Sequence, residues 1–311
     1  MNLEFDRLRN FLYERRNTDI FENPYDLYKA FILVEKDGKQ TKFDQNNQEL
    51  LFCEGLYRYH KKYGIQSLVN VPLPYKIDPD MHFSDFCQKL TGYANTPYLE
   101  DNLYHKLIEK MKDMMGHDPD KGWTKVYSSR LEKDAGHEKE TRRIYLSVDN
   151  KDLHEFALRL LVKCDELGIR YEFKINADDS YRRADNVVIY TSDEDFPKYI
   201  TAIEEIKKDN PNIDFGSANM LAYPFNEYIG VVSKEEDGKG GSHSEIICDE
   251  ICCLRNHDNL EFDSFYADVE KFMLQELDDT IQFCDQCRRK MNESRVMQED
   301  SEGITLPKKS K

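Results

Sequence analysis

Residues Ile169–Tyr190 read IRYEFKINADDSYRRADNVVIY. Two runs rich in β-branched and aromatic residues, 170–175 and 186–191, flank a polar turn. The pleat sends alternate side chains to opposite faces. Tyr171, Phe173 and Ile175 therefore oppose Arg170, Glu172 and Lys174. Upstream, RRIYLSV (142–148) alternates in the same way. Arg143, Tyr145 and Ser147 point one way, and Ile144, Leu146 and Val148 point to a core. Between these strands, Leu153–Leu167 is amphipathic at helical spacing and Gly168 stops it. Asp195–Lys208 repeats that pattern and ends at Asp209-Asn-Pro. The order β–α–β–β–α from 143 to 208 predicts an α+β domain.

Further outward the pattern changes. Phe5, Leu8, Phe11 and Leu12 recur at helical spacing, and helical patterns also cover 48–63, 79–90 and 98–115. Residues 1–120 are expected to form a helical N-terminal region, with at most a short sheet element. Trp123–Ser129 reads as a strand, and 216–241 shows no regular period. Ser242–Arg255 fits a helix, and Leu260–Asp279 one or two more. The expected organisation is a helical region over 1–120 packed on a mixed or antiparallel sheet domain with flanking helices over 121–290. A loose polar tail is expected over 291–311.

Composition excludes several function classes. The 311-residue chain carries 44 basic and 60 acidic side chains, a formal charge of −16. That disfavours nucleic acid or an anionic membrane as the main partner. No apolar run is long enough to cross a bilayer. MNLEFDRLRNF lacks a basic segment followed by an apolar one, so no secretory signal is expected. The eight cysteines sit mostly in apolar runs, as buried thiols do in a reducing compartment. Cytoplasmic residence is the expectation, and a specialised export route is compatible with it. Cys284 and Cys287 form a lone CxxC for which His257 is the one nearby candidate ligand, so no metal site is expected.

Cations recur where the strands meet. Direct pairing of strands 143–148 and 170–175 would place Arg143, Tyr145 and Lys174 on one face, with Arg182 or Arg183 on the incoming turn and Tyr190 at the last strand's end. Arg supplies planar paired donors and Lys a compact charge, which together suit a phosphate. A Lys among cations holds its proton less tightly and can serve as a general base. The same residues also suit a solvated polar face, with Asp185 and Glu172 as ion-pair partners.

The ordered set TRRIYLSV, GIRYEFKI and SYRRADNVVIY resembles the HopA-type effector family of plant-pathogen type III secretion. That family includes the lyase component of class V lanthipeptide synthetases and is distantly similar to phosphothreonine lyase effectors. LYRYHKKYG (56–64) and GWTKVYSSR (122–130) fit the same pattern, which covers 45–275. The resemblance implies metal- and cofactor-independent β-elimination of phosphate from phosphoserine or phosphothreonine. It implies Lys174 as the base, Arg143 with Arg183 or Arg182 as the phosphate clamp, and Tyr190 as an assisting group. Tyr145 stands where an acid His is usual. SHSEII (242–247) stands where the family reads Ser-Phe-Gly-x-x-Arg, so Ile247 replaces an Arg and His243 enters as a donor or acid. The implied partners are a phosphorylated peptide or protein and a separate kinase. The alternatives are an inactive member that binds a phosphopeptide, leader peptide or protein, and a structural adaptor.

Overall fold

The computed structural model describes residues 5–34, 123–127, 141–169, 171–176, 182–233, 243–257 and 261–302, with a few positions between 56 and 89. The expected helices over 48–63, 79–90 and 98–115 lie largely outside the described residues. The strands are β1 (Leu33–Val34), β2 (Trp123–Tyr127), β3 (Arg142–Leu146), β4 (Glu172–Asn176), β5 (Arg182–Arg183), β6 (Val187–Thr191), β7 (Tyr223–Pro224) and β8 (Ile229–Ser233). The helices are α1 (Asp6–Arg15), α2 (Pro24–Ile32), α3 (Leu153–Glu166), α4 (Phe196–Asp209), α5 (His243–His257), α6 (Phe262–Glu276) and α7 (Asp278–Glu302).

Six strands form one sheet in the order β2-β4-β6-β3-β8-β7, every neighbouring pair antiparallel. The VVIYT strand takes a central place because Val187, Val188 and Ile189 are buried on both its faces. This corrects the direct pairing of strands 143–148 and 170–175: β6 lies between them, paired to β3 on one side and β4 on the other. Asn186 extends the β3–β6 ladder with its side chain. Its Oδ1 accepts from the Val148 N–H at 2.9 Å, and its Nδ2 donates to the Val148 carbonyl at 2.6 Å.

One face carries Ile144, Leu146, Phe173, Ile175 and Ile189, all essentially inaccessible. Helices α3 and α4 pack together on that side, tied by Lys163 to Glu205 at 2.8 Å. Full burial of each such side chain is worth roughly 1.5–3 kcal/mol. Gly168, at φ 64°, ends α3 in the left-handed conformation, and the Ile169 N–H returns to the Cys164 carbonyl at 2.8 Å. The opposite layer holds α1, α2, α5 and α6. Phe11 stacks on Phe31 at 4.3 Å, Phe21 meets Phe265 edge-on, and the Tyr266 hydroxyl donates to the Phe5 carbonyl.

Two further expectations are corrected. Ile229–Ser233, within the stretch that shows no period, is a full sheet strand beside β3. Its IGVVS run is short and borders loops, so alternation could not mark it. The polar C-terminal stretch is also helical, through Glu302. Residues 278–302 hold no Gly or Pro and many good helix formers, and Thr280, Cys284 and Cys287 bury one side of the helix's first half.

Candidate functional site

The register of the sheet builds the site. Lys174, Val188, Tyr145 and Gly230 lie side by side on β4, β6, β3 and β8. The next row on the same face is Glu172, Tyr190, Arg143 and Val232. Trp123, at the start of β2, pairs with Asn176 and so joins this face two residues from Lys174. Arg143, Tyr145, Lys174 and Tyr190 thus share a face although β3 and β4 do not touch.

Cations and aromatic rings alternate across it. The Arg143 guanidinium carbon lies 5.6 Å from the centre of the Tyr190 ring. The Lys174 Nζ is 5.9 Å from that centre and 4.3 Å from the Trp123 ring centre. The Arg183 guanidinium carbon lies 5.2 Å from the same indole. Like charges so close repel, and the electron-rich ring faces offset part of that repulsion.

Arg183 is held from several elements. Asp185 accepts from its Nε at 3.0 Å and its Nη2 at 3.3 Å, and the Tyr28 hydroxyl on α2 accepts from Nη2 at 3.4 Å. Its backbone is also anchored. β5 pairs antiparallel with β1, and the Ala184 N–H donates to the Ile32 carbonyl at 2.8 Å. The N-terminal helices therefore place a site residue as well as covering the sheet. Burial acts against the Arg183 charge, but Asp185 and Tyr28 more than restore it, and its pKa lies above the ordinary value. Arg182 pairs with Val34 in β5, and its side chain lies outside the described residues.

Tyr145 is buried, and its hydroxyl is hydrogen-bonded by Arg143. Burial pushes its pKa up to about 12 against the opposing pull of Arg143, so it carries its proton at neutral pH. His243 opens α5 and is also buried. Its Nε2 lies 3.2 Å from the Leu221 carbonyl, an acceptor only, so Nε2 carries the proton. Burial, with a smaller contribution from Arg143, lowers its pKa to about 4, so it is neutral at pH 7. Ile247, four residues on, is fully inaccessible within the core. A charged side chain there would be buried.

The sequence reading did not single out Trp123 or Tyr28 as site residues. The strand signal around Trp123 shows its face, but not the approach of Arg183. Tyr28 reads as a helix residue and gives no sign of its contact. Asn219 also escaped. It is buried over Gly230, its Oδ1 accepts from the Leu221 N–H at 2.9 Å, and its Nδ2 has no hydrogen-bond partner among the described residues.

No group of three or more metal-ligating side chains occurs among the described residues. Cys284 and Cys287 are buried thiols. Burial pushes Cys284 up to about 12 and also raises Cys287. No helix among the described residues is long and apolar enough to cross a membrane.

Fold and face together define an α+β protein with an antiparallel sheet, helices on both sides, and an aromatic–cationic patch on one sheet face. No family model matches the sequence, and no curated protein sequence matches it. Solved structures do. The effector protein from Pseudomonas syringae pv. tomato strain DC3000 matches with a TM-score of 0.50 and 9% identity, over 87% of this chain and 93% of that one. The effector protein from Pseudomonas syringae pv. syringae strain 61 matches at 0.48 and 10% identity, over 86% and 91%. At such identity the likeness is one of fold.

Proposed function

We propose that this protein is a phosphoserine/phosphothreonine lyase that eliminates phosphate from a phosphorylated peptide or protein. The observation that carries this reading is the gathering of Lys174, Arg143 and Arg183 around the Trp123 and Tyr190 rings on one sheet face. In its neutral form, the Lys174 amine takes the α-proton. The C–H electron pair becomes the Cα–Cβ double bond, the Cβ–O bond breaks, and the phosphate leaves with that electron pair. Dehydroalanine or dehydrobutyrine remains.

Arg143 and Arg183, with Arg182 as its neighbour, hold the leaving phosphate as its charge develops. Tyr190 stands between Lys174 and Arg143 and assists there. Tyr145, which stays protonated, directs its O–H as a hydrogen bond to the departing oxygen. The neutral His243 holds the 219–222 loop beside Arg143 as a donor rather than protonating the leaving group. A kinase elsewhere must supply the phosphate. The fold shared with an effector protein supports a setting in which the chain is exported to its substrate.

A second reading has its own support. Arg183 is already engaged by Asp185, and the Ile247 position is sealed in the core. Both suit a protein that retains a phosphopeptide without turning it over.

The test is mass spectrometry of phosphoserine and phosphothreonine peptides incubated with the protein and with Lys174→Ala, without added metal. Loss of the elements of phosphoric acid with the native protein alone supports elimination. Intact phosphopeptide in both, with binding, supports the second reading.

A further inference from the structure

We propose that Trp123 is a positioning residue of the anion site: a single indole sets the separation between Lys174 and Arg183. This rests on the phosphopeptide reading above and adds to it a residue from the edge strand.

The geometry is specific. Trp123 occupies the first position of β2, opposite Asn176, which turns its ring onto the face that carries Lys174. The Lys174 Nζ lies 4.3 Å from the ring centre and the Arg183 guanidinium carbon 5.2 Å from it. These two cations come from different elements, β4 and β5, and Trp123 is the aromatic residue that meets both. Asp185 occupies the Nε and Nη2 side of Arg183, and Tyr28 also meets Nη2. Trp123 adds an aromatic contact to these, and the Nη1 group carries no hydrogen bond among the described residues.

Function depends on that separation. A phosphate held by Arg183 and an α-proton presented to Lys174 belong to one residue. Base and clamp must therefore keep a fixed spacing, and misplacement by about 1 Å can cost roughly 100-fold in rate. Arg183 is fixed by Asp185 and Tyr28, and the indole face beside it seats the Lys174 amine against their mutual repulsion. A cover for the sheet edge needs only an apolar side chain, whereas spacing two cations needs an aromatic one. Phe and Leu at this position therefore separate the two roles.

Trp123 is also the only tryptophan in the chain, so its emission reports on this site alone. The experiment titrates the protein with a dye-labelled phosphoserine peptide and follows tryptophan emission and dye anisotropy together. Trp123→Phe and Trp123→Leu are titrated by anisotropy, and thermal midpoints are recorded for all three proteins. The expected result is that emission and anisotropy give the same isotherm. Trp123→Phe should keep affinity within about threefold and Trp123→Leu should lose about tenfold, the scale of a partly desolvated cation–π contact, at similar midpoints. An emission unchanged by saturating peptide, or a Trp123→Leu protein that folds and binds like the native one, overturns the proposal.

The emission test needs no variant to fold. Binding with a tryptophan response but no elimination sinks the lyase reading and leaves this proposal standing. Elimination with a silent tryptophan sinks this proposal alone. A peptide that binds by neither probe overturns both.

Discussion

Arg142 and Arg143 are neighbours in the chain and lie on opposite faces of the same sheet. Arg143 reaches the Tyr190 ring and the Tyr145 hydroxyl on the site face. Arg142 lies on the other face, where its Nη1 donates to Asp279 Oδ2 at 2.6 Å and to the Ser233 hydroxyl at 2.6 Å. Its guanidinium also lies 4.3 Å from the centre of the Phe283 ring, so it fastens α7 to the sheet. Its Nε is 3.1 Å from Asp193 Oδ1, a charge contact whose angle is too poor for a hydrogen bond.

The two arginines should therefore separate stability from function. Arg142→Ala is expected to lower stability by about 1–3 kcal/mol, through lost charge-assisted bonds and lost packing of its stem. Phosphopeptide affinity should then be unchanged when measured well below the unfolding midpoint. Arg143→Ala is expected to cost roughly 10- to 100-fold in phosphopeptide affinity or turnover, the scale of a charge-assisted hydrogen bond. Urea melts and peptide titrations on both variants decide this. Equal binding losses in the two would contradict the face assignment.

His243 makes stability fall in mild acid. Its folded pKa of about 4 lies below the ordinary value of 6.5. Between those values the unfolded chain takes up a proton that the folded chain refuses, so stability rises with pH through that window. The contribution is complete above 6.5 and lost as pH falls to about 4. It is on the order of 3 kcal/mol. His243→Gln, which keeps a donor for the Leu221 carbonyl, should flatten the pH dependence of the denaturation midpoint there. A slope identical to the native one would show that His243 is not its source.

Gly230 makes room for a neighbouring loop. It stands opposite Tyr145, and a Cβ there would lie 3.0 Å from the Ala222 Cβ and 3.4 Å from the Asn219 backbone nitrogen. Neither is the end of a flexible side chain. Gly230→Ala should therefore displace the loop and cost about 1–3 kcal/mol. Calorimetry measures it, and an unchanged midpoint would mean that the loop yields freely.

The thiols should differ sharply in reactivity. Cys164, Cys248, Cys252, Cys284 and Cys287 are buried, whereas Cys253 is exposed. Burial pushes the Cys248 thiol well above its ordinary value and Cys252 up to about 12, which keeps thiolate scarce. Alkylation of the native protein followed by peptide mapping should label Cys253 first among these six. Rapid labelling of Cys284 and Cys287 would instead revive a redox role for that pair.

Much of the local structure is legible in the residues themselves. Alternation in TRRIYLSV separates Arg143 from Ile144, the helical period marks α3 and α4, and Gly168 marks the end of α3. These follow from pleat, helical period and φ preference, which act over a few residues. The short IGVVS strand and the helical C-terminal stretch escaped because neither carries a distinctive period. In the site, alternation brings out the faces of Lys174, Arg143 and Tyr145, whereas the face of Tyr190 comes from its pairing with Arg143 and Glu172.

By itself, then, the sequence determined which side of β3 and β4 a residue occupies and where α3 and α4 begin and end. Only the tertiary structure decided which faces meet. β6 entered between β3 and β4 because its residues needed burial on both sides. Tyr28 reached Arg183 across 155 residues, and Arg142 reached Asp279 across 137. Such contacts are set by how whole layers bury their apolar faces, a property of the packed molecule that no short stretch of chain encodes.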